Sequence, residues 1–344
     1  MLQIRNVYKR FNLEAGFFAR EELYVYAVNG VSLTVGDNEI YGLVGESGCG
    51  KTTTARLAVR MYRADAGSII FTDGDGNSHN VDALDNRGLH MLRSKIQYIF
   101  QDPARSLNPR MDILEILTAG YRYSPFWPGR KRAREEAEAV MLDVGLQPSD
   151  LERRAADFSG GQRQRISIAR ALMARPELLI CDEVVSALDV SIQGQILNLL
   201  LKLKEEYKLA MLFIAHDLAV VSYVSDRIGV MYRGLMMEEA PSQELIADRL
   251  HPYTRHLYSA IPQVETHRAA QRALQAKFRD QPDPTRPPVG ITPSMYESNA
   301  YAGGAGDATQ MDEVSPGHRV SRHFNENGPT PASTGEILPV PPGR

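Results

Sequence analysis

The stretch Gly45-Glu46-Ser47-Gly48-Cys49-Gly50-Lys51-Thr52 decides the fold, because it fits the phosphate-binding pattern G-x-x-x-x-G-K-[ST]. An apolar segment typical of a buried strand precedes it at residues 40–44, and a helical pattern follows from residue 51 to about residue 61. The glycines let the backbone curl until its N–H groups point at phosphate oxygens, and the following helix N-terminus favours anions. We therefore predict that residues 45–52, with Thr53, bind the phosphates of a nucleotide.

Three side chains of this loop carry possible chemistry. Lys51 has the length to reach the β- and γ-phosphates, and the Thr52 hydroxyl is a ligand for Mg²⁺. Cys49 is either a redox switch or a small loop side chain, and we favour the second interpretation. Since Cys49 and Cys181 are the two cysteines in 344 residues, they form no disulfide framework, which fits a reducing compartment.

Further polar residues follow other apolar segments of the core. The strand predicted at residues 178–182 ends in Asp182 and Glu183. We predict that Asp182 binds Mg²⁺ beside the loop and that Glu183 polarises the attacking water as a general base. Gln101 and His216 also follow predicted strands, at the edge where ligands bind in open α/β sheets. Gln101 is predicted to touch Mg²⁺ or water, and His216 to contact the γ-phosphate and hold Glu183.

The remaining pattern predicts an α/β core with a helical insertion. Short β segments occupy the first 45 residues, and strands alternate with helices from residue 162 to residue 231, as in a mostly parallel sheet buried on both faces. From residue 112 to about residue 159 the pattern is helical, which reads as a helical insertion between two parts of the core. From about residue 266 the chain is rich in Pro and Gly, which indicates low order or an extended, loop-rich segment.

Bulk properties exclude several function classes. The net charge of −3 and the pI of about 6.3 give no basic excess, so we predict no nucleic-acid partner. No apolar stretch of membrane-spanning length occurs, and the first residues read as a strand and not as a signal peptide. Any link to a membrane is therefore expected to come through partner proteins.

One further segment, Phe158-Ser159-Gly160-Gly161-Gln162-Arg163-Gln164-Arg165, resembles the signature motif of the ABC ATPases. The phosphate loop, Gln101, the Asp182-Glu183 pair, Ser186-Ala187-Leu188-Asp189 and His216 accompany it in the order of that family. The resemblance implies an α/β P-loop core, an antiparallel β subdomain, a helical subdomain at about 102–165 and a C-terminal extension. It also implies two ATP molecules sandwiched in a dimer. Each would be closed by the opposite subunit's signature, here Ser159, Gly160, Gly161 and Gln162, with Asp189 across the interface.

Other motifs resemble the ATPases of oligopeptide and dipeptide importers, of the second, F-like type. These are residues 100–110, 186–191 and 196–200, the insertion around residues 16–18, and after the core His251-Pro252-Tyr253-Thr254-Arg255 and residues 260–262. The resemblance implies a nucleotide-binding domain at 1–240, a C-terminal motif at 241–265 and an extension at 266–344. A complete set of motifs predicts an active ATP hydrolase.

The partners implied are a paralogous ABC ATPase or a second copy of this chain, two membrane permeases and an extracytoplasmic solute-binding protein. These would place the chain peripherally at the cytoplasmic face of the membrane, and exposed residues at 106–113 are candidates for permease contact. Peptides are the expected cargo, with oligosaccharides, opines or nickel as alternatives. A non-transport ABC protein and a regulatory nucleotide binder are rival interpretations, which the absence of long insertions and the intact Glu183 and His216 disfavour.

Three details depart from the family pattern or remain open. Residues 287–290 and 317–323 resemble an extension that in many members binds an iron–sulfur cluster through four cysteines; no Cys follows residue 181 here, so we predict no cluster. Plain disorder of this tail is the alternative. Val184 replaces the usual Pro, which should alter the stiffness of that loop. Phe11 is the expected adenine-stacking aromatic, with Tyr24 and Tyr26 as rivals.

Overall fold

The computed structural model describes residues 1–13, 23–102, 106–124, 126–259 and 311–321. Residues 14–22, 103–105, 125 and 260–310, and those from 322 onward, lie outside it. So do the insertion around residues 16–18, residues 260–262 and 287–290, and the last two residues of the 317–323 motif. Among the described residues, no helix is long and apolar enough to cross a membrane.

The strands are β1 Leu2–Leu13, β2 Leu23–Val35, β3 Ile40–Val44, β4 Ala66–Thr72, β5 Ser78–Asn80, β6 Ile96–Ile99, β7 Leu178–Asp182, β8 Ala210–Ala215, β9 Arg227–Tyr232, β10 Leu235–Pro241, β11 Met311–Ser315 and β12 His318–Ser321. The α-helices are α1 Lys51–Ala58, α2 Asn86–Lys95, α3 Ile113–Tyr121, α4 Arg130–Asp143, α5 Gly160–Leu172, α6 Val190–Tyr207, α7 Leu218–Val224, α8 Ser242–Ala247 and α9 Pro252–Ser259. Three 3₁₀ turns lie at Val81–Ala83, Pro148–Glu152 and Ala155–Asp157.

The central sheet has eight strands in the order β11-β12-β10-β9-β3-β8-β7-β6. Its five strands β9, β3, β8, β7 and β6 run parallel, and β10, β12 and β11 add antiparallel pairs at one side. All residues of β3, β7 and β8 are buried. Continuous apolar runs are what a parallel strand covered on both faces requires, so the predicted mixed α/β core with a mostly parallel sheet is confirmed.

A second, antiparallel sheet of order β2-β1-β4-β5 packs beside the phosphate-loop side of the core. Its first two strands, of 12 and 13 residues, are much longer than the short β segments predicted for the first 45 residues. The β1–β2 pairing continues from Leu2↔Val35 to Leu13↔Leu23 through register shifts, one of them around Asn6, which has a φ of 46°. Bulges of this kind interrupt the alternation of apolar and polar residues, which is why the pattern hid the outer half of each strand.

The helical part lies against the β6–β7 side of the sheet. Helices α3, α4 and α5 contact one another and share one apolar cluster with the parallel strands. The segment between residues 112 and 159 is not continuously helical, as the pattern suggested, but consists of two helices and two 3₁₀ turns. Pro148 begins the first of these turns, since proline can start a helical turn but not continue one.

Candidate active site

The phosphate loop is held by close backbone contacts on two sides. A Cβ added at Gly45 would lie 2.1 Å from the Met231 carbonyl oxygen, and one at Gly50 would lie 2.0 Å from that of Ala27. Neither space admits a side chain. The loop therefore sits between β2 and the end of β9, and glycine is required at both points because the chain approaches so closely.

Lys51 begins α1 and is almost fully buried. Its Nζ donates to the carbonyl oxygens of Gly45, at 2.7 Å, and Glu46, at 2.9 Å. The residue before the helix is Gly50, so no side chain caps the first turn, and that turn holds no acidic residue. A buried cation beside uncapped helix N–H groups is a suitable environment for phosphate, which the predicted site requires.

Two of the three predicted Mg²⁺ ligands, Thr52 and Asp182, are brought together, while the amide of Gln101 donates to Glu183. Thr52 Oγ1 donates to Asp182 Oδ1 at 2.9 Å, and Asp182 is buried at the end of β7. The second carboxylate oxygen accepts from the hydroxyl of Tyr98 on β6, at 2.6 Å. An oriented carboxylate and a hydroxyl are the hard oxygen ligands that Mg²⁺ prefers, so this pair fits the ion.

Tyr98 has no part in the sequence-based prediction. Burial, followed by the nearby Asp182 charge, raises the pKa of Tyr98, so its hydroxyl stays protonated and remains a donor. The sequence feature that could have identified Tyr98 was its position on β6. This strand pairs with β7 in parallel, so both strands end at the same sheet edge. A tyrosine on such a strand can reach the neighbouring carboxylate.

The three predicted hydrolytic residues also meet. Glu183 Oε2 accepts from Gln101 Nε2 at 2.6 Å, and His216 Nδ1 lies 3.9 Å from the same oxygen. The backbone of Glu183 is left-handed, with a φ of 51°, and its N–H donates to the Ile214 carbonyl at 2.9 Å. Few non-glycine residues adopt this conformation. The two adjacent carboxylates have different partners: Asp182 accepts from Thr52 and Tyr98, and Glu183 accepts from Gln101.

The signature residues form a separate helix start. Ser159 caps α5, and Gln162 returns the bond: Gln162 N–H donates to Ser159 Oγ at 3.3 Å and Ser159 N–H to Gln162 Oε1 at 3.0 Å. Gly161 lies against Ile192 in the first turn of α6, the helix that follows Asp189. In the described part of the chain, the recorded hydrogen bonds of Ser159, Gly160, Gly161, Gln162 and Asp189 do not reach residues 45–53. Within the described residues, the two groups of predicted nucleotide contacts are therefore not joined by hydrogen bonds.

The adenine-stacking residue stays open between two aromatics. Phe11 packs edge-on against Tyr62, with ring centroids 5.2 Å apart, and Tyr24 lies under the guanidinium of Arg10 at 4.5 Å. Tyr26 is buried in the core and has little ring surface to offer a base. Each of the first two rings already neighbours a cation, since Lys9 Nζ lies 5.5 Å from the Phe11 ring.

Both cysteines are buried and reduced. Burial raises the pKa of Cys181 to about 12 and also raises that of Cys49, despite Lys51 nearby. The reactive thiolate is therefore scarce at neutral pH, which favours the packing interpretation of Cys49.

A groove of about 870 Å³ opens beside Gln101 and reaches Asp182. Its apolar side includes Met61, Phe100 and Tyr123, which are unusually exposed for their size. Ser106, Asn108 and Met111, from the segment expected to contact a permease, also line it.

The chain is similar to known families of transport proteins. The family described as "ABC transporter" matches residues 28–186, and that described as "Oligopeptide/dipeptide transporter, C-terminal region" matches residues 237–290. The oligopeptide transport ATP-binding protein AppF of Bacillus subtilis is 41% identical over 324 residues, 94% of this chain and 97% of AppF. The oligopeptide transport ATP-binding protein OppF of the same organism is 42% identical over 297 residues, 86% of this chain and 90% of OppF.

Solved structures are similar in fold. A dimeric ATP-binding cassette in a post-hydrolysis state, bound to ADP and Pi, superposes with a TM-score of 0.61 at 25% identity and covers 70% of this chain and 99% of its own. A dimeric bacterial ABC transporter cassette gives a TM-score of 0.59 at 27% identity, with the same coverage.

Proposed function

Because the chain belongs to the ATP-binding proteins of ABC transporters, in their oligopeptide-transport branch, we propose how its own residues perform ATP hydrolysis for peptide import. It is the ATPase subunit of an oligopeptide importer. The single observation that supports the assignment of roles is the convergence of Lys51, Thr52, Asp182, Glu183 and Gln101 at one sheet edge.

Residues 45–53 bind the triphosphate, with Lys51 neutralising its charge and the uncapped start of α1 contributing N–H donors. Thr52 and Asp182 would hold Mg²⁺, with Gln101 as a third candidate ligand. The ion, when bound, neutralises charge that develops on the phosphate oxygens.

Hydrolysis uses the group beside this site. Glu183 accepts a proton from the attacking water, whose oxygen bonds to the γ-phosphorus while the bond to the bridging oxygen of ADP breaks. Gln101 bonds the Glu183 carboxylate and orients both it and the water. His216, near the same carboxylate, contacts the γ-phosphate.

The signature residues and Asp189 act on a second subunit. Ser159 and Gln162 are hydrogen-bonded to each other, so they do not depend on the phosphate loop of their own chain. We therefore infer that they close on ATP held by an opposite ATPase, a paralogue or a second copy. ATP binding closes this dimer, and hydrolysis reopens it.

The groove beside Gln101 is the proposed permease contact. Exposed Met61, Phe100 and Tyr123 give it an apolar lining, and Gln101 connects it to the hydrolytic group. Contact with two permeases would hold the chain at the cytoplasmic face of the membrane, and an extracytoplasmic solute-binding protein would deliver the peptide. No nucleic acid takes part.

The Glu183→Gln variant tests the chemistry. It is expected to bind ATP with wild-type affinity while phosphate release falls by at least about 100-fold, because a carboxamide cannot take up the proton. Glu206→Gln, on the exposed end of α6, is the matched control and should hydrolyse normally. Wild-type turnover by Glu183→Gln would overturn the general-base assignment.

Affinity purification of the tagged chain from solubilised membranes tests the assembly. Two permeases, an ATPase partner and a solute-binding protein are the expected companions, and the ligand of the binding protein would identify the cargo. Recovery of soluble or nucleic-acid-bound partners alone would contradict the importer assembly.

A further inference from the structure

A buried tyrosine of the C-terminal region contacts the phosphate loop. The hydroxyl of Tyr253, on α9, accepts a hydrogen bond from the backbone N–H of Glu46 at 3.2 Å. The Tyr253 side chain is fully buried, and its ring packs on Tyr232 with centroids 4.6 Å apart. A phenylalanine would pack on Tyr232 equally well, so the hydroxyl serves the loop and not the core.

The start of α9 is fixed by one buried carboxylate. Glu238, on β10, accepts from the backbone N–H groups of Leu250 at 2.9 Å and His251 at 3.1 Å. His251 Nδ1 then accepts from the backbone N–H of Tyr253 at 3.1 Å. These three bonds set the position at which the Tyr253 ring leaves the helix.

The C-terminal hairpin holds the same carboxylate from the other side. His318 Nε2, on β12, lies 2.8 Å from Glu238 Oε1, and both side chains are buried. The neighbouring Glu239 is also fully buried and is bonded by Arg227 and by Arg319 of the hairpin. A buried carboxylate that loses a donor is strongly destabilised, so β12 is required for this part of β10 to keep its position.

These contacts form one continuous connection from His318 through Glu238 and the start of α9 to Tyr253 and Glu46. We propose that Tyr253 is a positioning residue for ATP binding, and that the β11–β12 hairpin sets nucleotide affinity through Glu238. The proposal rests on nucleotide binding at residues 45–53. With the Glu46 N–H held by Tyr253, the loop is fixed at its start, which preorganises the N–H groups that follow it. Without that bond, part of the binding free energy is spent on ordering the loop.

Tyr253→Phe in the full-length chain, purified with its partners, is the first test. The affinity for ADP carrying a fluorescent ribose label should fall about three- to tenfold, the usual worth of one hydrogen bond. The KM for ATP should rise by a similar factor, while kcat at saturating ATP stays close to wild type. Tyr258→Phe, also on α9 but packed against Arg249, is the matched control and should bind normally.

Two substitutions at His318 test the distant end, and they remain informative if Tyr253→Phe fails to fold. His318→Ala should weaken labelled-ADP binding, and His318→Gln, which keeps an N–H donor for Glu238, should restore it. By linkage, saturating ADP should slow hydrogen exchange of the backbone amides in Met311–Ser315, His318–Ser321 and Pro252–Ser259.

Wild-type ADP affinity in both Tyr253→Phe and His318→Ala, or hydrogen exchange in the hairpin that is indifferent to ADP, would overturn the proposal. Failure of the wild-type chain to bind ADP would instead contradict nucleotide binding at residues 45–53, so the two failures are distinguishable.

Discussion

At the residue scale, Asp182 depends on two donors from different parts of the chain. Thr52 comes from the loop, and Tyr98 comes from the neighbouring strand β6. A carboxylate with both oxygens bonded loses little entropy when it binds a cation, because its orientation is already fixed. We therefore expect Tyr98 to support the proposed Mg²⁺ site without being a ligand.

Tyr98→Phe should weaken Mg²⁺ binding, since the freed carboxylate oxygen must be reoriented. We expect the Mg²⁺ concentration for half-maximal ATP hydrolysis to rise about tenfold, equivalent to roughly 1.4 kcal/mol. Mn²⁺ binding in the presence of ADP, followed by electron paramagnetic resonance, should weaken in parallel.

Tyr207→Phe is the matched control, because it removes another tyrosine–carboxylate bond, to Asp143, which is not one of the predicted Mg²⁺ ligands. An unchanged metal dependence in Tyr98→Phe would show that Thr52 alone orients Asp182. The raised pKa of Tyr98 means that its hydroxyl remains a donor throughout the neutral range, so the pH dependence of activity should be the same with and without it.

At the element scale, the phosphate loop and the helix starts depend on single residues. Gly50 has a φ of 110° and no space for a Cβ beside the Ala27 carbonyl. Gly76, in a turn remote from the site, has a φ of 83° and open space around it. Both glycines have a positive φ, but only Gly50 also lacks space for a side chain.

Gly50→Ala should therefore destabilise the protein more than Gly76→Ala. The left-handed backbone costs an alanine about 1–2 kcal/mol at either position, and only Gly50→Ala adds a clash with backbone. Denaturant unfolding measures the difference, and nucleotide binding should be lost in Gly50→Ala alone. Equal destabilisation would mean that β2 moves aside freely.

The start of α3 is capped by Asp112, whose carboxylate accepts from the Glu115 N–H at 2.7 Å in a reciprocal capping box. Asp112→Ala should cost about 1 kcal/mol of stability, measured by denaturant unfolding, because it leaves a first-turn N–H unsatisfied. Asp112→Ser, which keeps a capping oxygen, should retain most of the wild-type stability. Equal losses in the two variants would exclude the cap as the cause.

At the scale of the whole molecule, the groove beside Gln101 connects the helical part with the hydrolytic group. Met61 lies on its apolar lining and is 44% exposed. Leu142, on α4, is 56% exposed but lies outside the groove. Comparing substitutions at Met61 and Leu142 therefore separates the effect of the groove from the effect of removing any exposed apolar side chain.

Met61→Glu should abolish co-purification of the permeases and peptide uptake, because a charge would be buried in the contact. The ADP affinity of the isolated chain should remain unchanged. Leu142→Glu should retain the permeases. If Met61→Glu still recovers them, the permease contact lies elsewhere on the surface.

The sequence by itself determined the main features of the fold and the chemical groups of the site. Strong local signals were sufficient for this: the phosphate-loop pattern, the unbroken apolar runs of β3, β7 and β8, and polar residues directly after strands. Each depends on a few adjacent residues, so it can be recognised without knowing what the segment packs against. The roles of Lys51, Asp182, Glu183, Gln101 and His216 were predicted in this way and remain to be tested by experiment.

Only the tertiary structure decided which distant residues support that site. Tyr98 reaches Asp182 across 84 positions, and His318 reaches Glu238 across 80. The tail was expected to be an extension or plain disorder, yet residues 311–321 add two strands to the central sheet. Such pairings depend on which strands become neighbours, and a local pattern carries no information about a partner so far along the chain. The candidate residues of the site could therefore be proposed from the sequence, while the contacts that support the phosphate loop could be seen only in the folded sheet.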